Sequence, residues 1–103
     1  MNLIKVLPES LKNGDLIMPP ERELSLWMRR DARDKNLAED ALLLKVLEIE
    51  TFAKVDKRGN WIRIHALYSE AFTAYQTRPY PQGREFKFLV LPTTHIKKLE
   101  ASK

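Results

Sequence analysis

The alternating segment Trp61-Ile62-Arg63-Ile64-His65-Ala66-Leu67 carries the clearest potential for chemistry in this chain. Side chains alternate across a β-strand, so Ile62, Ile64 and Ala66 share one face and Trp61, Arg63, His65 and Leu67 the other. The first set is core. The second places an indole, a fixed cation and a titratable ring on one open face. A tight hairpin at Ser69-Glu70 sets Leu67 opposite Phe72, His65 opposite Ala74, Arg63 opposite Gln76 and Trp61 opposite Arg78. That register brings Arg78 to the indole, within reach of a cation–π contact of about 0.5–1 kcal/mol when exposed. Lys54, Lys57 and Arg58, from the preceding turn, complete a basic and aromatic patch. Such a patch suits base stacking combined with phosphate contacts. The competing reading packs Trp61 under a helix and leaves the cations to solubilise the sheet.

Other constellations offer less. His65 and His95 are the two histidines, and neither has a second histidine or a carboxylate at metal-ligand spacing, so no metal site is expected. Glu48 and Glu50 share one face of a strand. Paired carboxylates can do acid–base work when burial drives their pKa values apart. Here they read more simply as the solvated edge of a hairpin facing Lys54 or Arg63. Glycine-rich phosphate loops are missing, and with them a nucleotide cradle. No catalysis and no cofactor are expected.

Several elements position these residues. Leu3 to Leu7 is a short apolar segment ended by Pro8, and Asn13-Gly14 is a turn leading into a short strand over Asp15 to Met18. Residues 20–35 read as a helix. Pro20 suits its first position, acidic Glu21 and Glu23 its first turn, and basic Arg33 and Lys35 its last. Leu24, Trp27 and Met28 form a narrow apolar stripe on it, an alternative face for a partner. Arg22, Arg29, Arg30 and Arg33 are interleaved with carboxylates, the pattern of a solvated, salt-bridged face. Residues 37–45 fit helix or strand. The strand formers Val46, Ile49, Thr51, Phe52 and Val55 favour a strand from about Leu42 onward. Turns at Lys57-Arg58-Gly59-Asn60, Ser69-Glu70, Pro79 to Gly83 and Thr93-Thr94-His95 then separate strands at Trp61 to Leu67, Phe72 to Arg78, Glu85 to Leu91 and Ile96 to Leu99.

The chain has 103 residues, the size of a single domain spanning 1–103. It holds no cysteine, which excludes disulfides, thiolate nucleophiles and cysteine-based zinc sites and fits a reducing compartment. No run approaches the roughly 20 apolar residues of a membrane span. No signal peptide is evident, and a cytoplasmic protein is expected. Charge divides unevenly. Residues 1–50 carry 8 Lys/Arg and 10 Asp/Glu, whereas residues 51–103 carry 10 and 4. The second half also holds eight of the nine aromatics. A basic, aromatic-rich, strand-prone half is suited to polyanions or to a partner chain.

Two stretches resemble the SH3 family. Residues 11–18, LKNGDLIM, look like its segment in which Gly-Asp leads into the second strand. Residues 83–100, GREFKFLVLPTTHIKKLE, look like its closing segment, where a strand ends in proline, a 3₁₀ turn follows and a last short strand closes the barrel. Trp61 opens a strand, as the family's ligand-stacking tryptophan does. Together these cover about a third of the chain. The family's Ala-Leu-Tyr-Asp-Tyr opening is missing, and Thr94 and His95 replace its Asn-Tyr pair. The resemblance implies an SH3-like barrel with a helix inserted between Ile17 and Trp61, and equivalent places for Pro92 and Trp61.

The expected object is therefore an α+β, mainly β domain: a small SH3-like barrel or curled antiparallel sheet with one inserted helix at about 20–35. Its expected role is that of a non-enzymatic binding module whose basic C-terminal sheet contacts nucleic acid through Trp61, Arg63, His65, Arg78, Lys54, Lys57 and Arg58. The alternative is a protein-interaction, inhibitor or regulator module of the kind found in phage and mobile elements. It would use the same sheet or the Leu24, Trp27 and Met28 face.

Overall fold

The computed structural model describes residues 2–19, 42–69 and 85–100. The expected helix at 20–35, its Leu24, Trp27 and Met28 stripe, residues 37–41 and Arg78 lie outside the described residues. Within them the chain is mainly β. Its strands are β1 (Leu3–Val6), β2 (Leu16–Ile17), β3 (Leu44–Asp56), β4 (Gly59–Leu67), β5 (Glu85–Val90) and β6 (Ile96–Leu99). They form one sheet in the order β1-β6-β2-β3-β4-β5, with every pairing antiparallel. The sheet curls into a half-barrel.

The curl has a local cause in β3. Leu44 and Val46 are buried at even positions, and the next inward residue, Ile49, is odd. The pairing slips to match: Val46 faces Ala66 and Glu48 faces His65, which leaves Leu47 as an extra residue. A bulge of this kind bends its strand and increases the local twist. A larger slip follows, because Glu50 pairs with Arg63 but Lys54 pairs with Trp61.

The Asn13-Gly14 turn fastens the bent strand. Gly14 has φ of +95°, a backbone region that side chains disfavour, and its N–H donates to the Val46 carbonyl at 2.8 Å. Asn13 Nδ2 donates to the Leu47 carbonyl at 2.9 Å, so the bulged residue is held from the turn. Asp15 completes the fastening. Its carbonyl accepts from Val46 N–H at 2.8 Å, and its Oδ2 accepts from Lys12 N–H at 2.8 Å and lies 3.5 Å from Lys98 Nζ on β6.

The core fills the concave side. Ile17, Leu44, Val46, Ile62, Ile64, Val90 and Ile96 are all fully buried, joined by Leu11, Ala66, Tyr68 and Phe88. Phe86 stacks at a tilt against Tyr68 and Phe88, with ring centroids 5.4 and 5.5 Å away, in the range favoured by aromatic pairs.

One sequence expectation is overturned here. A tight hairpin at Ser69-Glu70 would pair residues 61–67 with residues 72–78, which lie outside the described residues. Instead β5 takes that side of β4, with Ile62 facing Val90, Ile64 facing Phe88 and Ala66 facing Phe86. The reason is the inward-facing apolar triad of β5, which meets that of β4 position for position.

Candidate functional site

The convex face of β3, β4 and β5 is set by the register. Across the three strands Lys45, Leu67 and Glu85 form one row, Glu48, His65 and Lys87 a second, and Glu50, Arg63 and Leu89 a third. Lys45, Arg63 and Lys87 are thus matched by Glu48, Glu50 and Glu85. Arg63 Nη1 donates to Glu50 Oε2 at 2.7 Å. His65 Nε2 lies 3.6 Å from Glu85 Oε1, an attractive contact when the imidazole is protonated. A cleft of about 90 Å³ runs among Glu48, Glu50, Arg63, His65 and Lys87. Arg63 and His65 therefore sit together, as the alternation of β4 requires, but on a charge-balanced face. Among the described residues of this face the positive and negative charges are equal in number.

Of the two readings of Trp61, on an open face or packed away, its 8% exposure agrees with the packed one. An indole so covered has no free π-face for a base. Lys54 is its partner across the strands, and Asp56 lies close by on the same face. The neighbouring Trp61 side chain, together with the Arg58 and Gly59 backbone N–H groups and the Lys54 ammonium, holds the Asp56 carboxyl below its ordinary value of 3.8. Asp56 Oδ1 accepts from Arg58 N–H at 2.9 Å, and Oδ2 lies 3.8 Å from Lys54 Nζ. This carboxylate ties down the end of the β3–β4 hairpin. Asp56 pairs with Gly59, so Lys57 and Arg58 form the loop, and Gly59 takes φ of +127° to complete the reversal.

Lys54, Lys57 and Arg58 are thereby brought together at the exposed end of the hairpin, facing water with Asp56 as their nearby carboxylate. Of the expected site, this basic part is assembled by β3 and its turn, while Arg63 and His65 are engaged elsewhere on the sheet. Arg78, Leu24, Trp27 and Met28 lie outside the described residues.

The sequence reading missed Phe52. Between Glu50 and Lys54 the β3 chain advances four residues while β4 advances two, and Phe52 lies in this excess. Its φ is +58°, the only non-glycine positive value among the described residues. The left-handed region costs a bulky L-residue about 1–2 kcal/mol. The residue is nonetheless 66% exposed, and Val55 nearby is 67% exposed. The ring thus gains little from burial in return for its backbone conformation. A signal for it existed in the sequence: after Ile49 the apolar phase breaks again at Phe52, three residues on.

Comparison with protein-family models, curated proteins and solved structures gives no match. The site therefore stands on its own chemistry.

Among the described residues no group of three His, Asp or Glu side chains is placed to hold a metal ion. Among the same residues no helix is long and apolar enough to cross a membrane. A depression of about 510 Å³ beside β2 and β6 is walled by Asn2, Asp15, Lys98 and Glu100. Its best-placed carboxylate, Asp15, is already engaged by Lys12 N–H and the Lys98 ammonium.

Proposed function

We propose that this chain is a non-enzymatic binding module, in its finer fold an SH3-like barrel, that contacts nucleic acid through the end of the β3–β4 hairpin. The observation that supports this reading is the grouping of Lys54, Lys57 and Arg58 with exposed Phe52 at one end of the hairpin, beside a sheet face whose charges cancel. Cations that project into water can release counterions from a phosphate backbone, whereas Arg63, hydrogen-bonded to Glu50, gains less from doing so. The lack of cysteine fits action in the reducing cytoplasm.

The test is fluorescence anisotropy with labelled oligonucleotides over a range of salt. Nucleic-acid binding gives a log–log slope of about −0.7 to −0.9 per phosphate contact. Replacing Lys54, Lys57 and Arg58 together by glutamine is expected to flatten that slope by about 2 to 3. A slope unchanged by the triple replacement contradicts the reading.

A second reading is favoured by the exposure of Phe52 and Val55 together, which suits a protein partner. Such an interface would be read by apolar contact and would depend weakly on salt.

A further inference from the structure

We propose that Phe52 is a stacking platform for an unpaired base, so that the ligand is a single-stranded nucleic acid rather than a duplex. This rests on the proposed function and names the ligand form that the same hairpin takes.

Three observations converge on Phe52. Its backbone is left-handed at φ +58°, a conformation that glycine or asparagine would take with less strain. The residue is 66% exposed, so packing does not explain why a large aromatic occupies that position. It lies in the extra length of β3 between the Glu50–Arg63 and Lys54–Trp61 pairs, the larger of the two places where β3 leaves its ladder with β4. Strain held at an exposed aromatic marks a position where the side chain, not the fold, gives the residue its use.

The neighbouring charges define the ligand. Lys54 on the same arm, and Lys57 and Arg58 in the loop that ends it, follow Phe52 within six residues. In an extended strand that separation is at most about 20 Å. An aromatic face beside a short basic track is the arrangement that binds a strand of exposed bases, with stacking and phosphate contacts acting together. A duplex keeps its bases stacked on each other, and offering one to Phe52 would first require unstacking it. Trp61, the other described aromatic next to this track, is 8% exposed and leaves the role to Phe52.

The experiment compares labelled single-stranded DNA, single-stranded RNA and duplex DNA of equal length, using wild type, Phe52→Gly, Phe52→Asn and Phe52→Trp, with thermal melting of each protein. The expected result is a single-strand preference that falls about tenfold or more in the Gly and Asn variants and persists in the Trp variant. Melting temperature should hold or rise in the Gly and Asn variants, since both accept the backbone conformation. DNA and RNA binding alike support a general base platform, and a preference for one of them assigns the sugar. Salt-sensitive binding that is equal for single strand and duplex and indifferent to Phe52 overturns the stacking platform while leaving the basic hairpin reading intact. A fall in melting temperature in both the Gly and Asn variants shows the ring supporting the fold, which also overturns it. No binding to any oligonucleotide overturns both readings.

Discussion

Arg63 and Glu50 face each other directly across β3 and β4, and their side chains meet at 2.7 Å. This contact neutralises the cation at the centre of the convex face. Both side chains are substantially exposed, 41% and 53%, so the pair is worth about 0–1 kcal/mol of stability. Under the proposed function it also sets which cations meet the ligand. Arg63→Ala is expected to leave the salt slope of oligonucleotide binding unchanged, while Lys57→Ala lowers it by about 0.7. Anisotropy titrations of the two variants check this.

Asp56 gives the hairpin a dependence on acid. Its folded carboxyl titrates below the ordinary 3.8 because the Trp61 side chain, the Arg58 N–H and Lys54 favour the ionised form. A depressed carboxyl stabilises the fold fully above its unfolded value, and that contribution fades as pH falls through the folded value. The Arg58 amide, bonded to Asp56 Oδ1, is therefore expected to lose hydrogen-exchange protection as pH falls below about 4. Asp56→Asn should lose this pH dependence.

Tyr68 acts at the opposite end of the scale. Burial pushes its phenol up from 10.0 to about 12. Its neutral form is favoured in the folded state, so its contribution is intact below pH 10.0 and is lost as pH rises towards about 12. Denaturant melts at increasing alkaline pH should show stability declining over that window, and Tyr68→Phe should reduce the decline.

Ile64 tests the core. It is fully buried in the middle of β4, between Ile49 of β3 and Phe88 of β5. Ile64→Ala is expected to cost about 2–5 kcal/mol. That is a large part of the about 5–15 kcal/mol that holds a typical domain. Ile64→Val should cost about 0.5–1.5 kcal/mol. Equilibrium denaturation gives both values.

Much of this fold is legible in the sequence, for identifiable reasons. The alternation of Trp61 to Leu67 matches β4, and Ile62, Ile64 and Ala66 fill the core as the period of two requires. Asn13-Gly14 marks the turn, Pro92 follows β5, and Ile96 to Leu99 forms β6. A strand expected from about Leu42 onward is observed at Leu44–Asp56. Strand partners were less legible, because period gives a strand's faces and not its neighbour. Thus β5, not the segment beginning at Phe72, pairs with β4.

The candidate site was legible only in part. Lys54, Lys57 and Arg58 are close in sequence, so a turn is enough to gather them. Glu50 is 13 residues from Arg63, and only the bulged register reveals that they meet. Phe52 escaped notice because strand propensity places an aromatic in the ladder, whereas the two slips in β3 put it outside.

The most direct test of the account is to map oligonucleotide contacts on the isotopically labelled protein by amide chemical-shift perturbation. Shifts are expected to concentrate at Phe52 to Asn60, with the amides of Arg63, His65 and Lys87 nearly unmoved. Shifts centred on the convex face around Arg63 and Lys87, with a silent hairpin, would contradict it.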